Sequence, residues 1–414
     1  MRRLTTVIIG AGHAGLAMSR ELMHRGVDHL VIERGAVANA WRKDRWDSLR
    51  LLTPNWANYL PGAWDLSLDP DGYMSVAQLV SSFDAYARTA RLPVQGDTEV
   101  IRVRRSDNGY DLETSQGPVA CRTLVLATGA CARPSIPALF GAVPGMIHQA
   151  TPLSYKRPND LPDGGVLIVG ASATGVQLAR ELQTSGRQVT LAVGNHVRMP
   201  RTYRSYDIEW WLHAIGVMDE RIDDVDDLER VRRLPSPQLI GGTDPVDLNA
   251  LQDLGVEIAG RLATIRDGQA LFSGGLANVC TSADLKMGRL LDSIDAWVDD
   301  WQLGSVIPPS SRPEPTRVPS APRLTLNFAN WEVRTILWAT GYRSDFSWLD
   351  VPVFDRRGRL RHRGGVVDAP GLYALGLPFL RRRKSHQISG AGDDASALSF
   401  HLRAFLDGRT DLAA

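Results

Sequence analysis

The chain has 414 residues, with 47 basic and 46 acidic side chains and a formal charge of +1. That length predicts two or three domains, and the balanced charge gives no electrostatic case for nucleic acid or an anionic membrane as partner. Three cysteines, Cys121, Cys131 and Cys280, form neither a C-x-x-C pair nor an even set, which points to a reducing, cytoplasmic setting without a disulfide framework.

Met1-Arg2-Arg3-Leu4 runs straight into apolar Thr6–Ile9, which reads as a buried strand rather than the core of a signal peptide. No apolar run reaches the roughly 18 residues of a membrane span. Gly10-Ala11-Gly12-His13-Ala14-Gly15 follows, then helical spacing over Leu16–His24, a second strand over His29–Ile32, and Glu33, 23 residues after Gly10. Strand, glycine-rich turn, helix, strand and acid in this order predict a dinucleotide site. Gly10 permits the tight turn, Gly12 lets backbone approach a pyrophosphate, and Gly15 lets helix and strand pack closely. The helix N-terminus offers free N–H groups to the anion, and Glu33 accepts from an adenosine ribose.

Arg34 to Leu60 interleaves Trp41, Arg42, Arg45, Trp46 and Trp56 and suggests a wall over a flat, charged cofactor. A helix is expected over Ser75–Thr89 with Ser75 as N-cap, and a hairpin from Glu99–Arg104 and Tyr110–Thr114. Cys121–Leu126 reads as a strand. It ends in Ala127-Thr128-Gly129 and leaves through Pro134 and Pro137, as a crossing between domains would.

Val166–Val169 opens a second unit. Gly170-Ala171-Ser172-Ala173-Thr174-Gly175 is G-x-S-x-x-G, followed by helical Val176–Gln183 and a strand over Gln188–Val193. No acid follows that strand. Arg198, Arg201 and Arg204 come instead, which suits a 2′-phosphate, although arginines that merely solvate a loop explain them too. Tyr203–Trp211 reads as an aromatic helix, Val256–Ala259 as a short strand, Ala283–Trp301 as a helix with a core stripe, and 307–322 as a loop. Arg334–Trp338 ends in Ala339-Thr340-Gly341, repeating the first crossing. The predicted fold is α/β, with two Rossmann-like dinucleotide-binding domains. The second is inserted into the first: residues 1–158, then 159–342 with an insert around 217–300, then 343–414. One unit suits a tightly held FAD and the other a nicotinamide hydride donor. Gly371–Leu377 reads as a last strand, Arg381–Lys384 as a basic run on a solvated face, and Asp394–Leu406 as a helix whose N-terminus faces the flavin.

The chain resembles the class B flavin monooxygenases, a group that includes flavin-containing monooxygenases, plant YUCCA-type enzymes and Baeyer–Villiger enzymes. The resemblance rests on Gly10–Gly15, the Trp41–Pro54 stretch, both Ala-Thr-Gly segments, Gly170–Gly175 and the Gly371–Gly376 strand. It implies FAD in the first unit, NADPH in the second, and O2 as co-substrate. The implied chemistry is a C4a-(hydro)peroxyflavin that oxygenates the nitrogen, sulfur or carbonyl of a small organic substrate. The family's F-x-G-x-x-x-H-x-x-x-W/Y pattern is altered here. Phe140-Gly141 stands apart from Gly145-Met146-Ile147-His148, and the next aromatic is Tyr155. His148 either orders the domain junction or is an ordinary surface histidine.

The expected FAD set is Gly10, Gly12, Ala14, Gly15, Glu33, Arg34, Trp41, Arg42, Thr53, Thr128, Gly129 and Gln387, with Val100 touching adenine through its backbone. The expected NADPH set is Gly170, Ser172, Thr174, Gly175, Arg198 and Arg201. Asn55 sits where relatives carry an Asn over the flavin C4a edge; it is otherwise a turn residue after Pro54. No metal cluster is expected. Two other readings remain open: an NAD(P)H:acceptor reductase or oxidase, and a flavin-bound redox sensor. The assembly state, monomer or homodimer, is open as well.

Overall fold

A computed structural model describes residues 2–63 and 68–409. Two parallel five-strand units share one strand order. In the first, Val94–Gln95, His29–Ile32, Arg2–Ile9, Val119–Leu126 and Leu372–Ala374 lie side by side. In the second the order is Glu257–Gly260, Val189–Val193, Gly165–Val169, Val333–Trp338 and His148–Ala150. Both faces are packed against other elements, in the second sheet helices on one side and the hairpin of residues 262–272 on the other, so His29–Ile32, Gly165–Val169 and Val189–Val193 are buried at every residue. This is why these strands read as continuous apolar runs rather than alternating ones.

Each unit takes its fifth strand from beyond its own stretch of chain. Leu372–Ala374 returns to the first sheet after the insertion, and His148–Ala150 joins the second sheet ahead of its glycine loop. The expected boundary at 158/159 therefore falls after a strand that already belongs to the second sheet. Val119–Leu126 is shared along its length. Its first half pairs with the Gly109–Thr114 arm of the hairpin and its second half with Leu372–Ala374.

The two crossings are zipped together. Arg133–Pro134 pairs antiparallel with Tyr342–Arg343, Ser135 N–H donates to the Gly341 carbonyl at 2.8 Å, and the Thr340 hydroxyl donates to the Ser135 carbonyl at 2.6 Å. Both arms leave from the C-terminal ends of fourth strands, Leu126 and Trp338. That is the edge at which open α/β sheets bind ligands.

The expected insert around 217–300 is not one block. Glu257–Gly260 within it is an edge strand of the second sheet, paired with Val189–Val193. The hairpin Leu262–Arg266/Gln269–Phe272 pairs with Thr325–Asn327. The helix Leu276–Asp300 packs Met287, Leu291, Ile294 and Val298 against Tyr203, Ile208 and Trp211, a separate apolar cluster. That helix begins seven residues ahead of expectation.

The basic run is not a solvated face. Lys384 pairs with Asp219 and Asp393 at 2.9 and 3.1 Å, Arg383 pairs with Glu220, and Arg382 pairs with Asp393. It latches the short turns of residues 217–224 onto the first domain.

Candidate functional site

The two glycine loops are near copies. A side chain at Gly10 would meet the Ala127 carbonyl oxygen at 2.5 Å, and one at Gly170 would meet that of Ala339 at 2.4 Å. At Gly15 and Gly175 an added Cβ would stand 1.8 Å from the Gly10 and Gly170 carbonyl oxygens. Gly10 and Gly170 also take φ of +108° and +110°, the left-handed side that favours glycine. The middle position differs. Gly12 (φ −82°, ψ −174°) and Ser172 (φ −83°, ψ −177°) hold the same extended conformation ahead of the helices His13–His24 and Ala173–Thr184. That conformation accepts any residue, so Ser172 replaces the glycine without strain. Both helices start earlier than expected, directly after this residue, so their free N–H groups lie at the loops themselves.

Glu33 ends the second strand of the first unit, and its Oε2 accepts the Ala11 N–H at 2.8 Å. Burial pushes its carboxyl above the usual range. Thr98 N–H donates to the Glu33 carbonyl at 2.8 Å, and half-buried Val100 follows two residues on, paired with Thr114 of the hairpin. Thr128 and Gly129 follow the fourth strand, and Gly129 has φ +76°.

Several buried polar atoms at this edge have no protein partner: Thr128 Oγ1, His13 Nε2, Gln387 Oε1 and Ser389 Oγ. Buried polar groups are nearly always paired, so such a group of orphans fits a polar ligand. A Cβ on Gly376 would touch Ala14 Cβ at 2.8 Å and lie 3.9 Å from His13 Nε2, so the last strand closes on the same loop. Burial and the neighbouring His386 hold His13 neutral, with a pKa of about 4.

The last helix runs Ile388–Leu406 with Gln387 as its N-cap residue, six residues ahead of the expected start. Its glycines do not break it. They permit close packing, since a Cβ on Gly390 would meet the Lys384 carbonyl oxygen at 2.0 Å and one on Gly392 would meet Pro61 Cγ at 2.8 Å. The helix end aimed at the cradle thus carries Gln387 and Ser389, while Asp394 is buried in its second turn.

Other expected contacts are differently placed. Arg34 pairs with Asp44 at 2.9 Å, and Arg42 is held by Asp84 and by the Val37 carbonyl. The Thr53 hydroxyl donates to Asn58 Oδ1 at 2.7 Å. These three side chains shape the wall. Trp41 bridges the apolar cores of both domains, beneath the Arg45 guanidinium at 5.0 Å. Asn55 is buried in a short turn; its Nδ2 donates to the Asp69 carbonyl at 2.8 Å, and its Oδ1 has no partner. Trp56 beside it packs edge-on against His213 of the second domain.

In the second cradle, Thr174 stands beside Tyr342 of the crossing ribbon. Arg198 and Arg201 correct the expectation of a 2′-phosphate contact. They are 3% and 5% exposed. Arg198 is bound by Asp247 and Asp284 at 2.5 and 2.7 Å. Arg201 is bound by Asp207 at 2.5 Å and by the carbonyls of Leu52 and Ile240. Arg204 is held by Asp295. Asp247, Asp284 and Asp295 lie far along the chain, with no sign of their pairing in the sequence order, whereas Asp207 is six residues from Arg201. His148 is exposed on its edge strand.

A family model described as pyridine nucleotide-disulphide oxidoreductase matches residues 7–225. The chain belongs to that family. An oxidoreductase named CzcO-like from Geobacillus kaustophilus is 30% identical over 395 residues, 95% of this chain and 96% of that protein. An indole-3-pyruvate monooxygenase of the YUCCA type from Arabidopsis thaliana is 30% identical over 207 residues, 47% of this chain and 49% of that one. Among solved structures, a flavin-containing monooxygenase from Stenotrophomonas maltophilia superposes with a TM-score of 0.66 at 18% identity, covering 98% of this chain and all of that one. A bacillithiol disulfide reductase from Staphylococcus aureus gives 0.62 at 15% identity, covering 98% and 99%.

Despite the family's description, the cysteines here are free thiols. Cys121 and Cys280 are buried and Cys131 is exposed. Among the described residues no helix is long and apolar enough to cross a membrane, and no cluster of side chains forms a metal site. Two site residues carried no sequence signal. Gln238, 1% exposed, donates through Nε2 to the Ala171 carbonyl inside the second glycine loop, and its Oε1 has no partner. His196, buried just past Val193, donates through one ring nitrogen to the Gly194 carbonyl and leaves Nε2 unpaired. Each comes from an irregular stretch whose path only the fold reveals.

Proposed function

We propose that this oxidoreductase is an NADPH- and O2-dependent flavoprotein monooxygenase acting on a small organic substrate. The observation that carries the proposal is the zipped ribbon at 133–134 and 342–343, which brings two glycine cradles to one junction. The similarity to a YUCCA-type monooxygenase supports oxygen as co-substrate. Bound FAD would accept hydride from NADPH and then activate O2 for transfer to a nitrogen, sulfur or carbonyl centre.

This chain's residues bind and orient. Gly10, Gly12 and Gly15 admit the FAD pyrophosphate to the helix N-terminus at His13, and Glu33 accepts from its ribose. Ala14, Thr128, Gly129, Val100 and Gln387 line the same cradle. Gly170, Ser172, Thr174 and Gly175 receive the NADPH pyrophosphate, with Gln238 fixing their loop. Asn55 presents an unpaired amide oxygen at the junction, and Trp41 and Trp56 exclude water there.

The test is stopped-flow spectroscopy of the FAD-loaded protein, reduced with NADPH and mixed with O2. A long-lived absorbing species that decays on addition of a substrate, with NADPH use coupled to product, supports a monooxygenase. Immediate reoxidation with stoichiometric H2O2 at every substrate tried supports an NAD(P)H oxidase or acceptor reductase instead.

A further inference from the structure

His386 closes the short turn Arg383–His386, directly before the last helix. Its side chain is exposed, yet desolvation is the largest influence on it and lowers its pKa. A ring that is open to solvent while protein crowds it lines a cleft, not the outer surface. The turn is tied to the second domain, since Arg383 N–H donates to the Glu220 carbonyl at 3.0 Å. On its other side stands His13 of the first glycine loop, whose pKa feels His386. His386 therefore sits where the two domains meet. Nearby, Gln387 Oε1 and His13 Nε2 have no protein partner among the described residues.

An acid stands behind this histidine. Glu209 lies on the helix Ile208–Ala214 of the second domain, and its charge acts on His386. Glu209 is 5% exposed, and its Oε1 has no hydrogen-bond partner among the described residues. A buried carboxylate oxygen without a donor is costly. The group facing it is His213 Nε2, at 3.7 Å and likewise unpartnered. That is just beyond hydrogen-bond reach, and such acid–base contacts are often long until ligands bind. Trp56 packs edge-on over the His213 ring at 5.3 Å. At the rim, the charge of His213 acts on Asp219, the exposed partner of Lys384. Asp219, His213, Glu209 and His386 thus follow one another from the surface to the cleft.

Each turnover moves one hydride, with its electron pair, out of NADPH and takes one proton from solvent. Both hydrogens end bonded to oxygen, in water when a substrate is oxygenated and in H2O2 when none is. A cleft that excludes water needs a route for that proton. We infer that His386 is the proton donor of the reaction cleft, resupplied from solvent through Glu209 and His213. This rests on FAD occupying the first cradle. His386 accepts a proton at one ring nitrogen from the Glu209 side and releases one from the other towards the cleft. Desolvation loosens its hold on the proton, and the Glu209 carboxylate opposes that enough for it to reload.

The experiment uses the FAD-loaded full chain in weakly buffered solution with a pH-indicator dye. Dye and flavin absorbance are followed together through one reduction by NADPH and one reoxidation by O2. Wild type should take up one proton per flavin. In His386→Asn the phase that carries the proton should slow by about 100-fold, with hydride transfer and thermal unfolding unchanged, and added imidazole should restore it. Glu209→Gln should slow the same phase, and Glu209→Asp should recover part of it. A second readout needs no turnover: in protein labelled with 15N-histidine, Glu209→Gln should lower the pH midpoint of His386, because the carboxylate raises it. Proton uptake at the wild-type rate in His386→Asn overturns the inference, as does a slowed phase that imidazole fails to restore, or an unmoved His386 midpoint. A protein that shows this proton route yet releases H2O2 with every substrate keeps His386 as the donor and removes only the monooxygenase reading.

Discussion

Glu33 and Ala11 are joined by a 2.8 Å hydrogen bond from backbone N–H to carboxylate, so the acid of the first cradle is tied to its own glycine loop. The bond orients the carboxylate across the mouth of the loop, where the ribose of the proposed FAD would meet its other oxygen. Desolvation is the largest influence on this carboxyl and raises its pKa, so it sits in surroundings where each hydrogen bond counts for more than in water. Glu33→Ala should weaken FAD binding by about 10–100-fold, the worth of losing one or two hydrogen bonds to a charged group. Titrating apoprotein with FAD and following flavin fluorescence gives the number. An affinity equal to wild type would remove Glu33 from the ribose.

Gly12 and Gly15 should respond differently to the same substitution. Nothing lies within 4 Å of a Cβ built on Gly12, and its φ of −82° suits any residue. Gly12→Ala should therefore leave the stability of the apoprotein within about 0.5 kcal/mol of wild type while lowering FAD occupancy, because the methyl enters the space the pyrophosphate needs. At Gly15 the same methyl meets backbone oxygen at 1.8 Å. Gly15→Ala should cost at least about 3 kcal/mol, as severe overpacking does, or prevent folding. Urea unfolding of the apoproteins, with bound flavin measured separately, distinguishes the two effects.

The parts readable in the sequence are those whose cause is local. Strand Thr6–Ile9, the loop Gly10–Gly15, strand His29–Ile32 and Glu33 follow one another closely, and each is set by its own backbone and apolar pattern. The second unit was legible for the same reason, even with Ser172 in place of a glycine. The early start of the last helix was not, because Gly390 and Gly392 read as loop residues until Lys384 and Pro61 are seen against them. Arg198 and Arg201 were legible as cations, but the partners of Arg198, Asp247 and Asp284, are brought to it by tertiary folding, and Arg201 meets Asp207 through the short hairpin of residues 202–207.

Arg198 should behave as a structural residue. Its guanidinium is buried between two carboxylates, with Nε and Nη2 on Asp247 and Nη1 on Asp284. Removing it strands both acids, and breaking a buried pair in this way costs about 3–5 kcal/mol. Arg198→Ala should lower the urea midpoint of the whole chain by that measure, with the NADPH-to-NADH preference of the surviving folded fraction unchanged. A changed coenzyme ratio at undiminished stability would return Arg198 to the nucleotide site.

Asp394 gives the fold a pH dependence of its own. It is 1% exposed within the last helix, and burial pushes its carboxyl up from an ordinary 3.8 to about 6. Hydrogen bonding from Ser385 and the charges of Arg381 and Arg382 oppose that rise, while Asp393 adds to it. Because the folded value lies above the unfolded one, the favourable contribution is complete below about pH 4 and is lost as pH rises through 6. Asp394→Asn keeps the shape and stays neutral. Its stability relative to wild type should be constant below pH 4 and grow by on the order of 3 kcal/mol between pH 4 and 7, about two pKa units at 1.36 kcal/mol each. Urea unfolding at pH 4, 5, 6 and 7 measures that difference. A flat difference across the series would mean that Asp394 ionises in the fold as easily as in the unfolded chain, with water or a cation reaching its Oδ2.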